Sequence, residues 1–108
     1  MTTINTANAH ATLINVFTVE PEKARALADL LERATEETMR HVPGFISANI
    51  HKSLDGVRVT NYAQWRSREH FEAMLRHPEA IPHMQACAAL AESAEPHLYD
   101  VASVHNKH

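Results

Sequence analysis

The chain has 108 residues, a formal net charge of −3 and 21% charged residues. That is the size of a single domain, and the charge provides no basic surface for a nucleic acid. The one cysteine, Cys87, excludes an intramolecular disulfide and fits a reducing compartment.

No apolar run approaches the roughly 20 residues that span a bilayer. Residues 1–11 lack the charged start and apolar run of a signal peptide. A cytoplasmic protein is the expectation. Nine histidines make its charge steeply pH-dependent near their ordinary pKa of about 6.5.

Residues 1–10 read as a flexible N-terminal arm. Residues 11–19 read as a strand, with Leu13, Asn15 and Phe17 on one face and Ile14 and Val16 on the other. Glu20-Pro21-Glu22 opens a helix, with proline in the first turn and acids at the positive end of the dipole. Ala24, Leu27, Leu31 and Ala34 keep the helical period. Asp29–Arg33 and Glu36–Arg40 are spaced for ion pairs on its wet side. Pro43-Gly44 is the expected stop.

Phe45 to Lys52 reads as a second strand. Ser53-Leu54-Asp55-Gly56 is the turn of a hairpin, and Val57 to Trp65 is its returning strand. Ser67 can cap a helix over 68–76. Pro78 and Pro82 interrupt the pattern. An alanine-rich helix then runs to about residue 93, and Pro96 to about His105 is a last strand. Residues 106–108 are a tail.

The order strand, helix, strand, strand, helix, strand predicts an α+β, ferredoxin-like βαββαβ domain over residues 11–105. Its helices should pack on one face of a four-stranded antiparallel sheet. Parity places Asn15 and Phe17, Asn49 and His51, and Asn61 and Trp65 on the face opposite the helices. With Phe45 added, that face is too apolar to leave in water, and a second copy of the sheet is the expected cover. A homodimer follows.

Asn61 and Trp65 are the most informative pair. Two hydrogen-bond donors share one face of a strand with little else that is polar between them. A pocket for a flat, oxygen-bearing molecule would use them so. Asn61 can donate to a developing oxyanion, and Trp65 can stack on a ring and donate its indole N–H. His51 can act as a base near neutral pH. Each has a plainer alternative: an amide satisfying local backbone, a core or interface tryptophan, and a wet strand-end histidine.

The run Val42-Pro43-Gly44-Phe45-Ile46-Ser47-Ala48, then Ile50-His51, Asp55-Gly56 and Asn61-Tyr62-Ala63-Gln64-Trp65, resembles the antibiotic biosynthesis monooxygenase family. Within that family it is most similar to the cofactor-independent anthrone oxygenases of polyketide pathways. The resemblance covers roughly residues 11–105. It implies a dimeric α+β barrel in which each subunit has a pocket between sheet and helices. It also implies oxidation of a polycyclic phenol or anthrone by O₂ without metal, haem or flavin.

On that implication Asn61, Trp65 and His51 are candidate catalytic residues. Asn15, Phe17, Phe71 and His83 are candidate substrate-binding residues. One departure stands out: six residues after the tryptophan the anthrone oxygenases carry a tyrosine, and this chain has Phe71. Among nearby histidines His70, His77 and His83, the register best places His83 over the pocket.

No histidine spacing makes a metal site. Cys87 reads as a small buried hydrophobe, and Met39, Met74 and Met84 read as core. Two further functions fit the same fold. One is a non-catalytic barrel that binds a flat metabolite. The other is a haem-degrading monooxygenase, for which Asn15 fits but the tryptophan and histidine positions do not.

Overall fold

The computed structural model describes residues 2–7 and 10–107. Its strands are β1 (Ala11–Thr18), β2 (Phe45–Lys52), β3 (Arg58–Trp65) and β4 (Ser93–Tyr99), and its helices are α1 (Pro21–Glu37), α2 (Arg68–Leu75) and α3 (Ile81–Leu90). The antiparallel sheet has the order β2-β3-β1-β4, with β1 and β3 central. This is the ferredoxin-like plan.

Helix α1 starts with Pro21 at its first position and buries Ala24, Leu27, Leu31 and Ala34, the stripe its spacing requires. It ends earlier than Pro43-Gly44 would require. Thr38 leaves helical geometry, and a 3₁₀ turn over Met39–His41 fills the interval. On the exposed side Glu36 and Arg40 pair at 2.6 Å, whereas Asp29 pairs with Arg25 rather than Arg33. Both choices are one helical turn away and differ little in energy.

The last strand starts at Ser93, ahead of the expected Pro96. Pro96 lies inside β4, opposite Asn15. Strand β4 is at the sheet edge, the one place where a missing N–H is tolerated.

The face assignment is corrected. Asn15, Phe17, Asn61 and Trp65 point toward the helices, since they line one cavity with Leu31 and Ala34 of α1 and His83 and Cys87 of α3. Asn49 and His51 lie on the outer face, opposite the helices as expected, and so do not share a face with the other four. These two part from Asn61 and Trp65 because of a register shift between Phe45 and Ser47: Phe45 is opposite Trp65, but Ser47 is opposite Gln64. One extra residue in a strand reverses the parity of everything after it. So Phe45, Ala48 and Ile50 face inward, and Ser47, Asn49 and His51 face outward.

The apolar face that seemed to need a dimer partner is therefore covered by the protein's own helices. The outer face is mixed. It carries Thr12, Ile14, Val16, Thr60, Tyr62, Gln64 and His97 by register. The start of the chain lies on it: Asn49 Nδ2 donates to Thr2 Oγ1 at 2.6 Å and Gln64 Nε2 to the Thr3 carbonyl at 2.7 Å. Residues 2 and 3 of the expected arm are thus tied to the sheet. Its residues 1, 8 and 9, and residue 108 of the expected tail, lie outside the described residues.

Inside, the core is in two parts. One cluster gathers Leu13, Val42, Ala63, Trp65 and Met74. The other gathers Phe17, Leu27, Leu31, Val59 and Cys87. Between them one row crosses the sheet: Ile50, Asn61, Asn15, Pro96. Two amides interrupt a core that is otherwise hydrocarbon.

Candidate active site

That interruption is the floor of a cavity of about 450 Å³ between the sheet and the helices. The volume falls within the range of small-molecule sites. Asn15 and Asn61 are directly opposed on β1 and β3. Cross-strand partners are about 5 Å apart at Cβ, so one ligand oxygen can reach both amides.

Trp65 is 2% exposed. Phe45 meets it edge-on, with centroids 5.6 Å apart, and Phe71 meets it at 6.4 Å. The three rings form an aromatic end wall in the preferred T-shaped geometry. Local structure aims them. The Arg66 N–H donates to the Gly44 carbonyl at 2.7 Å, which holds the end of β3 against the start of β2. Ser67 Oγ then accepts from the His70 N–H at 3.2 Å and caps α2, placing Phe71 in its first turn.

Gly44 has φ +90°, and a Cβ there would run into the His70 imidazole. Only glycine fits this junction.

Three buried polar atoms on this cavity have no hydrogen-bond partner among the described residues: Asn15 Oδ1, Asn61 Oδ1 and Trp65 Nε1. Leaving a buried group unpaired costs about 1–3 kcal/mol. Three together at one cavity form a pattern of acceptors and a donor that a ligand would complete.

His83, in the first turn of α3, also lines the cavity, and its Nε2 is 2.9 Å from Thr38 Oγ1. Cys87 follows one turn later. Burial pushes its thiol up to about 11, so it is protonated at neutral pH.

Of the residues singled out in the sequence, the structure brings together Asn15, Phe17, Asn61, Trp65, Phe71 and His83. It does not bring in His51, which is exposed on the outer face with the sheet between it and Asn61. His70 is spent on the α2 cap and His77 on the following turn, where it accepts from the Glu79 N–H. Thr38 was missed. No local pattern marks it, because its partner His83 is 45 residues away. Among the described residues no group of three or more His, Cys, Asp or Glu side chains is placed to hold a metal ion. Nor is any helix among them long and apolar enough to cross a membrane.

Known proteins match this architecture. The model of the family described as antibiotic biosynthesis monooxygenase matches residues 11–90. A tetracenomycin-F1 monooxygenase of Streptomyces glaucescens is 48% identical over 91 residues, 84% of this chain and 81% of that protein. The monooxygenase ActVA-Orf6 of Streptomyces coelicolor, solved with nanaomycin D, superposes with a TM-score of 0.83 and is 26% identical, over 93% of this chain and 94% of that one. SnoaB, a cofactor-independent oxygenase of Streptomyces nogalater, shares the fold at TM-score 0.75 and 24% identity, covering 92% of this chain and 99% of that one. With the match spanning β1 to α3, the chain belongs to the antibiotic biosynthesis monooxygenase family and is a monooxygenase.

Proposed function

We propose that this monooxygenase oxidises a flat polycyclic phenol or anthrone to a quinone with O₂, the substrate itself supplying the electrons. The observation that carries the reading is the set of three orphaned polar atoms on an otherwise apolar cavity. Apolar walls take a fused ring system. Asn15 and Asn61 take an oxygen function on its edge, and Trp65 donates its N–H.

Phe17 floors the far end of the site and Phe71 closes the near one. With phenylalanine at 71, that end of the ligand meets hydrocarbon and no hydroxyl. The tetracenomycin and nanaomycin relatives support a polyketide-derived substrate.

Deprotonation makes the substrate an electron-rich phenolate or enolate. One electron passes to O₂, and the two radicals combine to a peroxide. The peroxide loses water, leaving a C=O where there was a CH₂. Overall one O₂ gives one carbonyl oxygen and one water. Asn61, by turning its amide so that Nδ2–H₂ and not Oδ1 meets the ligand, and the Trp65 N–H stabilise the negative oxygen in an apolar cavity, where such hydrogen bonds count most.

The test is O₂ uptake by metal-stripped protein given a small anthrone or hydroquinone. Uptake above the spontaneous rate, with one quinone formed per O₂, is the expected result. Binding of these compounds with no added uptake would replace the enzyme by a metabolite-binding barrel.

A homodimer is part of this proposal. Ile14, Val16 and Tyr62 are half-buried on the outer face and offer an apolar strip for a second copy. A mass near 24 kDa, twice the 12.1 kDa of one chain, is expected in light scattering. A monomer at micromolar concentration would remove that part. Cytoplasmic residence is the setting in which the free Cys87 thiol is kept reduced.

A further inference from the structure

Oxidation of such a substrate begins with loss of a proton, and the cavity has few groups that can take one. Its polar side chains are the two asparagines, a threonine hydroxyl, the Trp65 indole, His83 and Cys87. Amides, hydroxyl and indole do not accept a proton near neutral pH. Cys87 is a buried thiol, and burial holds it protonated at neutral pH. That leaves the imidazole.

Apart from the hydroxyl of Thr35, which donates to the Leu31 carbonyl at 2.8 Å, His83 is the one member of this set with a side-chain hydrogen bond among the described residues. Thr38 is 8% exposed, and its Oγ1 sits 2.9 Å from Nε2 of His83. Thr38 is itself fixed by its backbone N–H, which donates to the Ala34 carbonyl at 3.0 Å. The other ring nitrogen, Nδ1, has no partner among the described residues. The Thr38 hydroxyl can accept from Nε2–H or donate to a bare Nε2, and only the first arrangement leaves Nδ1 free to take a proton.

We propose that His83 takes the substrate's proton on Nδ1, and that Thr38 is the positioning residue that accepts from Nε2–H and leaves Nδ1 unprotonated. This rests on the oxidation described above. In the step, the substrate's O–H or C–H bond breaks and its electron pair stays on the substrate. The proton forms an N–H bond on Nδ1. The imidazolium faces the new anion, while Asn61 and Trp65 hold its oxygen from the sheet side. After O₂ has added, the imidazolium returns the proton to the terminal peroxide oxygen. That return leaves the ring neutral, and the hydroperoxide then loses water, its remaining C–H proton leaving with the terminal OH as the C=O forms. No group outside the cavity and no co-reactant beyond O₂ is consumed.

Two measurements test this. The first reads the free protein: ¹⁵N–¹H correlation of the imidazole nitrogens, with His83 assigned through its backbone. The expected result is the Nε2–H tautomer in wild type and a mixture in Thr38→Val. An Nδ1–H tautomer in wild type overturns the proposal without any variant of His83.

The second reads O₂ uptake with a small anthrone. His83→Gln is expected to lower kcat about 100-fold, the scale of general acid–base catalysis. Added imidazole should recover part of the rate in His83→Ala. Thr38→Val should lower kcat several-fold with KM within twofold, and Thr38→Ser should restore it. Quenching of the single tryptophan, Trp65, by an anthraquinone reports that the variants still bind. A His83→Gln enzyme that binds and keeps more than half the wild-type rate overturns the proposal. A wild type that consumes no O₂ overturns the oxidation reading instead.

Discussion

The two faces of the sheet carry the same kinds of residue and treat them in opposite ways. On the outer face Asn49 donates to Thr2 and to the Tyr62 carbonyl, and Ser47 donates to Gln64, which in turn donates to the Thr3 carbonyl. Every one of these polar side chains has a partner. On the inner face Asn15, Asn61 and Trp65 are as deeply placed and have none. An amide on the outer face holds the fold together. An amide on the inner face costs stability until something enters the cavity. The difference separates structure from function more sharply than residue type or burial does.

The largest effect that tests this contrast is on the inner face. Asn61→Leu should lower kcat by about 100-fold or more, the scale of losing one donor to a developing oxyanion. Its melting temperature should hold or rise, since a buried unpaired amide gives way to hydrocarbon. A variant that keeps full activity in the O₂ assay would make Asn61 structural and erase the contrast.

Next comes the junction that joins the faces. Gly44→Ala must strain a φ of +90° and push aside the His70 ring. A loss of about 2–3 kcal/mol in urea unfolding is expected. Because His70 belongs to the α2 cap, Trp65–Phe71 packing should loosen too, visible as a red shift of Trp65 emission. Unchanged stability would mean that this junction does not position the aromatic wall.

A smaller effect is expected from Gln64→Leu on the outer face. It removes the bonds to Thr3 and Ser47 and leaves their groups unpaired, costing about 1–2 kcal/mol. Activity should stay within twofold. If activity fell with stability unchanged, the outer face would have a role in the reaction.

The smallest lies at the hairpin tip. The Ser53 hydroxyl, at 2.6 Å, and then the Val57 N–H hold the Asp55 carboxyl below its ordinary range. A carboxylate depressed in the folded state stabilises above its unfolded pKa, and that stabilisation is lost as pH falls through the folded value. The melting temperature of Asp55→Asn should therefore lie slightly below wild type at pH 7. The gap should close from about pH 4 downward. A gap that persisted at low pH would assign the effect to the amide's geometry and not to the charge.

Most of the element order was legible in the sequence, because each signal was local. The α1 stripe, the Asp55-Gly56 turn and the Ser67 cap each arise within a few residues, and each appears where it was read. The end of α1 was less legible. Pro43-Gly44 is a visible stop, but Thr38 turns out of the helix sooner and meets His83 on α3, a partner its own neighbours do not reveal. Pro96 misled in the same way. It reads as the start of a strand, and only the sheet order shows that it sits within an edge strand.

The candidate site divides along the same line. That Asn61 and Trp65 share a face follows from the sequence alone, because alternation along one strand is a matter of covalent geometry. Which side that face meets, helices or outer surface, was read the wrong way round. It depends on how the strands pack, and packing is decided across the whole domain. The register shift at Phe45 and Ser47 did the rest: His51 lies outward as expected, but parted from Phe45, Asn61 and Trp65, which lie inward. A one-residue shift leaves almost no mark in a sequence, yet it reverses every side chain beyond it. The chain by itself thus determined the strands, the helices and the Asn61–Trp65 pair. Tertiary packing alone decided that this pair shares one cavity with its neighbour Asn15 and with His83 of α3.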